Sequence, residues 1–335
     1  MTRLHATEVN GLLDASTPLG SRSGPPLRSV PRIRRIVIAA AALAFVAAGL
    51  VGAYRYVHGF WLYRGFPAPR EPAFVDRAGT TLKLRIASPA LGGRRQVVYV
   101  YLPPGYREQI ARRYPVLYLL HGFPGRPAAF LQTIRVAVVE DVLLAKHVGK
   151  PMILVMPSGS TGTFTDKEWA DGVRPHEKWE TWVARDLVRT IDRRFRTVRA
   201  AHARGIGGLS EGGYAAINLA LHRPGEFGLV ESWSGYERAD DIRPIFGGRR
   251  ALLRRNSPLA MLPLVAGEIR ARHTYFWLYS GSTDKLRFQN EEFARELASA
   301  GIPSRFRLVP GGHDWSLWRG QAGRALLVAS RHLRV

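Results

Sequence analysis

Short, continuously apolar segments alternate with amphipathic segments along residues 81–333 of this 335-residue chain. Runs such as Val116–Leu120 are apolar at every position, as are strands that are buried on both faces of a sheet. A turn containing Gly92-Gly93 joins the first two strand-like segments, whereas helix-like segments join the later ones. The pattern therefore predicts an α/β domain with an antiparallel N-terminal edge and a mostly parallel, doubly wound sheet.

The period of the apolar residues also gives approximate boundaries for these elements. Strands are predicted at 81–88, 95–102, 115–120, 152–156, 203–209, 229–233, 274–280 and 304–309, and helices at about 133–146, 179–195, 211–223, 286–300 and 315–333. Residues 236–270 lack a clean strand pattern, so we expect them to cross over the sheet as a helical insertion.

An uncharged apolar run at 36–53 separates this domain from a basic N-terminal tail. Residues 1–35 are rich in Ser, Pro, Gly and Arg and are expected to be disordered. The run is close to the ~20 residues of a membrane-spanning helix, with arginines before it and aromatic residues after it. By the positive-inside rule the tail stays in the cytoplasm. We therefore predict a single-pass anchor at 36–53, a linker at 54–75 and an extracytoplasmic domain at 76–335.

Three other interpretations of the apolar run stay open. Val51-Gly52-Ala53 resembles a signal-peptidase site, and Arg34-Arg35 faintly resembles a twin-arginine signal. The long region before the run favours an uncleaved anchor instead. A buried core helix is the remaining alternative, but such a helix seldom stands between a basic tail and a linker rich in Gly and Pro. The anchor and both signal interpretations export the C-terminal domain.

The formal net charge of +23 raises the question of a nucleic-acid partner. The positive residues are almost all arginines scattered through helices and loops, and no nucleic-acid-binding motif accompanies them. The sequence therefore argues against nucleic acid as a partner, while the charge favours an anionic membrane surface.

The absence of cysteine excludes disulfides, thiolate metal sites and thiol nucleophiles. His176-Glu177 lacks the second histidine of a metalloprotease motif, so no metal site is predicted.

The motif with the clearest chemistry is G-x-S-x-G at Gly208–Gly212. A strand-like stretch precedes it and a helix-like stretch follows, which is the arrangement of a nucleophile elbow. The glycines suit a strained turn in which the adjoining strand and helix leave no room for side chains. A plain helix cap would explain the serine but not a glycine on each side. Ser210 is therefore the predicted nucleophile.

A serine nucleophile needs a base that is oriented by a carboxylate, and in this arrangement both follow later strands in the order acid, then histidine. His313 follows the strand ending near 309 and is the predicted base. Asp284 follows the strand at 274–280 and is the predicted acid, although it could be a simple turn residue. Glu291 and Glu292 are the alternative acids.

Two backbone N–H groups are expected to stabilise the oxyanion. The N–H of Glu211 comes with the elbow, and that of Phe123 lies in the loop after the strand at 115–120. His121, just before this loop, is interpreted as a structural turn residue rather than a second base. A further set of aromatic residues lines either a substrate groove or the core, namely Trp169, Trp179 and Trp182.

Taken together, the motifs resemble the putative-esterase family of α/β hydrolases, which includes esterase D, feruloyl esterases and the mycolyltransferase antigens. The resemblance covers about residues 80–333 and rests on 119–122 (LLHG), 179–182 (WETW), 208–214 (GLSEGGY), 220–224 (ALHRP) with Phe227, Ser234-Gly235, and 312–315 (GHDW) with Trp318. It implies the α/β-hydrolase fold, a triad of Ser, Asp or Glu, and His at the positions above, and an acyl-enzyme mechanism that needs no cofactor.

The chain also departs from two members of that family. It has no cysteine and carries His121 where mycolyltransferases typically have an acidic residue, which weakens the case for acyl transfer to sugars. Unlike esterase D it has an export segment. We therefore expect an exported serine esterase acting on an ester substrate, with lipid and cell-envelope esters as candidates. A cell-envelope acyltransferase with the same triad and a non-catalytic binding protein on this fold are the alternatives.

Overall fold

The computed structural model describes residues 32–162, 164–165, 167–239 and 244–335. The predicted disordered tail therefore lies outside the described residues, apart from its last four positions. The chain divides into two units, of which the first ends at Tyr54 and the second begins at Arg55.

Helix α1, Arg32–Tyr56, contains the predicted span and has no buried residue. An 18-residue window within this helix has a mean hydropathy of 2.5, which makes the helix apolar enough to cross a membrane, a property that signal sequences share. The helical backbone continues as a π-helix at Val57–Leu62, so it extends into the linker predicted at 54–75. The helical backbone ends at Leu62, before the left-handed Gly65 and the first proline of that segment, Pro67.

Eight strands form one sheet in the order β1-β2-β4-β3-β5-β6-β7-β8. Strands β1 and β2 are antiparallel to each other, β2 is antiparallel to β4, and the remaining neighbours are parallel. The strands are β1 Thr80–Ala87, β2 Arg95–Leu102, β3 Val116–Leu120, β4 Ile153–Pro157, β5 Arg204–Leu209, β6 Leu229–Trp233, β7 Tyr275–Gly281 and β8 Ser304–Val309. Every predicted strand is present, with its ends displaced by one residue at most, and the predicted architecture is confirmed.

Helices cover both faces of the sheet. They are α2 Ala128–Gln132, α3 Val136–Ala145, α4 Trp179–Thr181, α5 Val188–Arg194, α6 Glu211–His222, α7 Arg250–Arg255, α8 Pro258–Ala271, α9 Arg287–Ser299 and α10 Trp315–His332. One core contains residues of α5, α6, α8 and α9, and the other contains residues of α2, α3 and α10. This burial on both faces explains the strands that are apolar at every position.

Two predicted helices differ from the structure in detail. The helix predicted at 133–146 is α3 alone, which begins at Val136 because Arg135 adopts a left-handed backbone conformation, and the short helix α2 before it was not predicted. The helix predicted at 179–195 contains a π-helical turn at Trp182–Leu187. Helices α7 and α8 supply the predicted helical insertion, whose residues 240–243 lie outside the described part of the chain.

Candidate active site

The backbone at Ser210 is strained. This residue joins β5 to α6 with φ 55° and ψ −122°, a region that residues with side chains seldom adopt. A Cβ atom on Gly208 would lie 2.4 Å from the Leu120 carbonyl oxygen, and one on Gly212 would lie 1.9 Å from it. Only glycine fits at these two positions, because the backbone at the end of β3 passes directly against the turn. The turn therefore holds the Ser210 side chain at the carboxyl edge of the sheet, as the elbow motif predicts.

The structure brings the three predicted triad residues into one chain of hydrogen bonds. His313 Nε2 lies 2.8 Å from Ser210 Oγ, and His313 Nδ1 lies 2.8 Å from Asp284 Oδ2. An ionised carboxylate can only accept a hydrogen bond, so the proton of a neutral His313 must lie on Nδ1, which faces Asp284. His313 Nε2 then carries no proton and can accept a hydrogen bond from the Ser210 hydroxyl. This geometry matches a nucleophile, a base and an orienting acid.

The Asp284 carboxylate is well supplied with donors. Burial raises its pKa, but hydrogen bonds from His313 and from the Leu286 N–H, which lies 2.8 Å from Oδ1, bring the pKa below its usual range. Glu292 instead forms an ion pair with Arg238 at 2.7 Å. The structure therefore brings Asp284 to His313 and places Glu292 in a different contact.

The loop after β3 runs beside the nucleophile. A Cβ atom on Gly122 would lie 3.0 Å from the Ser210 Cβ, so the two backbones are in close approach. Phe123 directly follows Gly122, and Glu211 directly follows Ser210 as the first residue of α6. The two residues predicted to supply oxyanion N–H groups thus belong to segments that meet at Ser210.

His121 connects two loops and is buried. Its Nε2 accepts from the Gly159 N–H at 3.1 Å, and its Nδ1 lies 3.0 Å from the Gly122 carbonyl oxygen. Burial lowers its pKa to about 4, a shift that the hydrogen bond to Gly122 partly offsets. His121 is therefore neutral at pH 7, and both of its ring nitrogens contact hydrogen-bonding backbone groups. These contacts fit a structural role for this residue.

The three tryptophans considered for a substrate groove are each at most 1% exposed. The indole N–H of Trp169 donates to the His121 carbonyl at 3.1 Å, and that of Trp182 donates to the Ser158 carbonyl at 3.1 Å. Trp179 donates to Glu177 at 2.6 Å. These are core residues, and the first two support the loops beside the nucleophile.

Sequence reasoning missed two residues that position the triad. The ring of Trp318 lies edge-on to the His313 ring, with centroids 4.9 Å apart, and its N–H donates to the Trp233 carbonyl at 3.1 Å. The buried Ser234 hydrogen-bonds to Asp284 and contributes to its lowered pKa. Both residues stood in the motifs that carried the family resemblance, but one sequence alone assigns them no role.

Within the part of the chain that the structure describes, no three His, Asp or Glu side chains cluster in a way that could hold a metal ion.

Comparison with known proteins identifies the family. Residues 88–327 match the family described as Putative esterase. An uncharacterized protein of Corynebacterium glutamicum is 28% identical over 66% of this chain and 54% of its own length, and Esterase Rv1288 of Mycobacterium tuberculosis is 29% identical over 64% and 52%. The chain thus spans about half the length of the curated relatives it matches.

Solved structures give the same fold. A ferulic acid esterase superposes with a TM-score of 0.68 at 24% identity, covering 76% of this chain and 99% of that one. At this identity the likeness shows the α/β-hydrolase fold alone. The family match covers most of the folded domain, including Ser210, Asp284 and His313. The chain belongs to the putative esterase family of α/β hydrolases.

Proposed function

We propose that this protein is an exported, membrane-anchored serine esterase, in which Ser210 is the nucleophile, His313 the general base and Asp284 the orienting acid. The observation that carries the proposal is the pair of 2.8 Å contacts that joins the Ser210 hydroxyl, the His313 ring and the Asp284 carboxylate at a strained elbow. Surface clusters of Ser, His and Asp do not need a strained backbone, whereas a nucleophile elbow does.

In the first half of the reaction, Ser210 Oγ attacks the ester carbonyl carbon while His313 Nε2 takes the hydroxyl proton. The carbonyl oxygen becomes an oxyanion, which accepts hydrogen bonds from the N–H groups of Phe123 and Glu211. The tetrahedral intermediate then collapses, the bond to the alcohol oxygen breaks, and His313 returns the proton to the leaving alcohol. The acyl group stays on Ser210 as an ester.

In the second half, His313 removes a proton from water as the water oxygen attacks the acyl carbon. Collapse of this second intermediate releases the carboxylic acid and gives the proton back to Ser210 Oγ. Asp284 remains ionised throughout, because its pKa lies below the usual range, and so stabilises the imidazolium that forms twice in each cycle.

The membrane part of the proposal rests on α1. The helix is long and apolar enough to cross a membrane, and none of its residues is buried in protein. Arginines precede the apolar run in the sequence and aromatic residues follow it, which favours export of the domain. An anchored enzyme would meet esters of the membrane or cell envelope at high local concentration, so we include these in the proposed substrate class.

The acyltransferase alternative shares the first half-reaction and differs in the acceptor of the acyl group. The experiment is therefore to incubate the purified full chain with para-nitrophenyl acetate, following both nitrophenol release and acyl transfer to added alcohols, and to label a separate sample with a fluorophosphonate probe. Release of free acid with labelling of Ser210 supports the esterase. Acyl products that form in preference to free acid would support the transferase, and the absence of turnover and labelling would favour a binding protein.

A further inference from the structure

A cationic groove lies beside the loop that follows β3. Its volume is about 430 Å³, and it lies between the β1-β2 edge of the sheet, the loop after β4 and the segment that leads into α2. Its polar lining includes Lys83, Arg95, Arg126, Gln132, Ser160 and Thr161.

The groove is close to the candidate active site through contacts of the loop that follows β3. Gly125 lines it, and a Cβ atom on Gly125 would lie 2.0 Å from the Gly122 carbonyl oxygen. Gly122 in turn closely approaches Ser210. The loop after β4, which forms another side of the groove, contacts the end of β3 as well, because the Gly159 N–H donates a hydrogen bond to His121. A molecule in the groove would therefore lie next to the proposed oxyanion site.

The strand register explains why positive charges gather here. Lys83 is opposite Tyr99 and Ala87 is opposite Arg95, and side chains two residues apart point to the same face. Lys83 and Arg95 are both exposed on that face, and neither forms an ion pair within the described residues. The described lining of the groove includes no Asp or Glu.

Arg126 adds a third positive charge at the end nearest Gly125. It is partly buried, and its hydrogen bond is a weak one, from Nη2 to Gln132 Oε1 at 3.3 Å. Burial lowers the Arg126 pKa, and the charge of Arg64 lowers it further. Two guanidinium groups held near each other repel, and a bound anion would relieve that repulsion.

We propose that this groove is a substrate subsite that binds a carboxylate or phosphate group carried by the ester. Arg95 and Arg126 supply paired N–H donors that suit such oxyanions, Lys83 supplies a point charge, and Ser160 supplies a hydroxyl donor, whereas the Thr161 hydroxyl donates to Thr165. The proposal rests on the proposed esterase function, since it concerns which esters reach Ser210.

The test uses two matched pairs of esters. On the acyl side, mono-para-nitrophenyl adipate is compared with para-nitrophenyl hexanoate, and on the alcohol side, para-acetoxybenzoate is compared with phenyl acetate. The measured quantity is the ratio of kcat/KM for the anionic ester to that for its neutral partner, in the full chain held in phosphatidylcholine liposomes. We expect a preference for the anionic ester in at least one pair. The double substitution Arg95→Gln/Arg126→Gln should reduce this ratio about tenfold, the effect of ~1.4 kcal/mol.

The strong net charge of the whole chain requires a matched control. Arg254→Gln/Arg295→Gln removes two positive charges from α7 and α9, which lie on other parts of the domain. This pair should leave the ratio within twofold of the wild type. Neutral esters should be hydrolysed equally by all three proteins. Absence of an anionic preference in both pairs, or an equal loss in both double variants, would overturn the subsite while leaving the esterase proposal standing. No turnover of any ester would instead refute the esterase proposal itself.

The anion has two conceivable sources, a soluble ester or a lipid headgroup. Repeating the assay in liposomes that contain phosphatidylglycerol separates them. A headgroup that enters the groove competes, so the anionic preference of the wild type falls more than that of the Arg95→Gln/Arg126→Gln variant. An equal change in the two proteins assigns the groove to soluble esters.

Discussion

His313 Nε2 lies 2.8 Å from Ser210 Oγ, although 103 positions separate the two residues in sequence. Ser210 follows β5 and His313 follows β8, which are three places apart in the sheet. The contact forms because β5, β6, β7 and β8 are parallel, so that the segments after them leave the same edge. The proposed chemistry therefore depends on the strand order as much as on the residues themselves.

Ser210→Ala should abolish ester hydrolysis without unfolding the protein. Alanine keeps the same backbone restriction at φ 55°, so the elbow geometry and thermal stability should change little. Turnover of para-nitrophenyl acetate should fall by roughly 10⁴-fold or more, because removing a serine nucleophile leaves only residual catalysis. Ser299→Ala, in α9, is the control and should retain full activity. Wild-type activity in Ser210→Ala would refute the assignment of the nucleophile.

The proposed acid can be tested with a pair of isosteric substitutions. Asp284→Asn keeps the shape but removes the charge that orients His313, so turnover should fall by about 10³- to 10⁴-fold. Glu292→Gln removes a carboxylate that contacts Arg238 and should lower turnover less than twofold. Steady-state kinetics with a nitrophenyl ester measure both. The reverse ranking would transfer the role of the acid to α9.

The fold was predictable from sequence because its signals are local. Each strand is a short run bounded by turn residues, and burial on both faces makes β3 apolar at every position. The sequence also predicted the proximity of Ser210, Asp284 and His313, since each follows a strand and two of them stand in short glycine motifs. A parallel sheet then brings such strand ends together.

The unpredicted features depend on long-range contacts. Lys83, Arg95 and Arg126 come together only through the β1-β2 register and the loop into α2, and no local pattern marks them among so many arginines. The π-helical continuation at Val57–Leu62 was missed because the aromatic residues there were interpreted as an interfacial belt followed by a linker. Boundaries of this kind follow from backbone hydrogen bonding that apolar periodicity does not report.

Alanine substitutions at Gly208 and Gly320 should have opposite effects on stability, because a steric constraint acts at the first position and only helix propensity acts at the second. Gly208→Ala places a Cβ 2.4 Å from the Leu120 carbonyl oxygen, so we expect severe destabilisation or failure to fold. Gly320→Ala is the matched change in α10, where the new Cβ meets nothing within 4 Å. It should stabilise the protein by about 0.5–1 kcal/mol because alanine favours helix. Thermal or urea unfolding measures both, and a stable Gly208→Ala protein would contradict the packing of the elbow.

The buried Glu231 in β6 should make stability depend on pH. Burial raises its pKa to about 8, with partial offset from the Trp233 N–H that donates to it at 2.9 Å. The folded state then binds more protons than the unfolded state between about pH 4.5 and pH 8, so this residue's contribution to stability falls as pH rises through that range.

Glu231→Gln mimics the protonated form and removes this dependence. The variant should match the wild type near pH 5 and exceed it by at least about 1 kcal/mol near pH 8.5, as measured by urea unfolding at both pH values. Glu296→Gln, in α9, is the control and should show no pH-dependent difference from the wild type. A Glu231→Gln protein that is no more stable than the wild type at pH 8.5 would show that the fold does not raise the pKa of Glu231.

Export of the domain can be tested with reporters on either side of α1. Alkaline phosphatase fused after Arg70 should be active, because the enzyme needs an oxidising, extracytoplasmic compartment, whereas the same reporter fused after Arg35 should be inactive. An uncleaved anchor also predicts that the full chain stays with membranes after washing with high salt, since burial of the apolar helix does not depend on charge screening. Replacing arginines 28, 32, 34 and 35 with glutamate should reduce reporter activity after Arg70, because these residues are the proposed orientation signal. A mature chain that starts near Tyr54 would establish a cleaved signal, and inactive phosphatase after Arg70 in the unaltered chain would refute export.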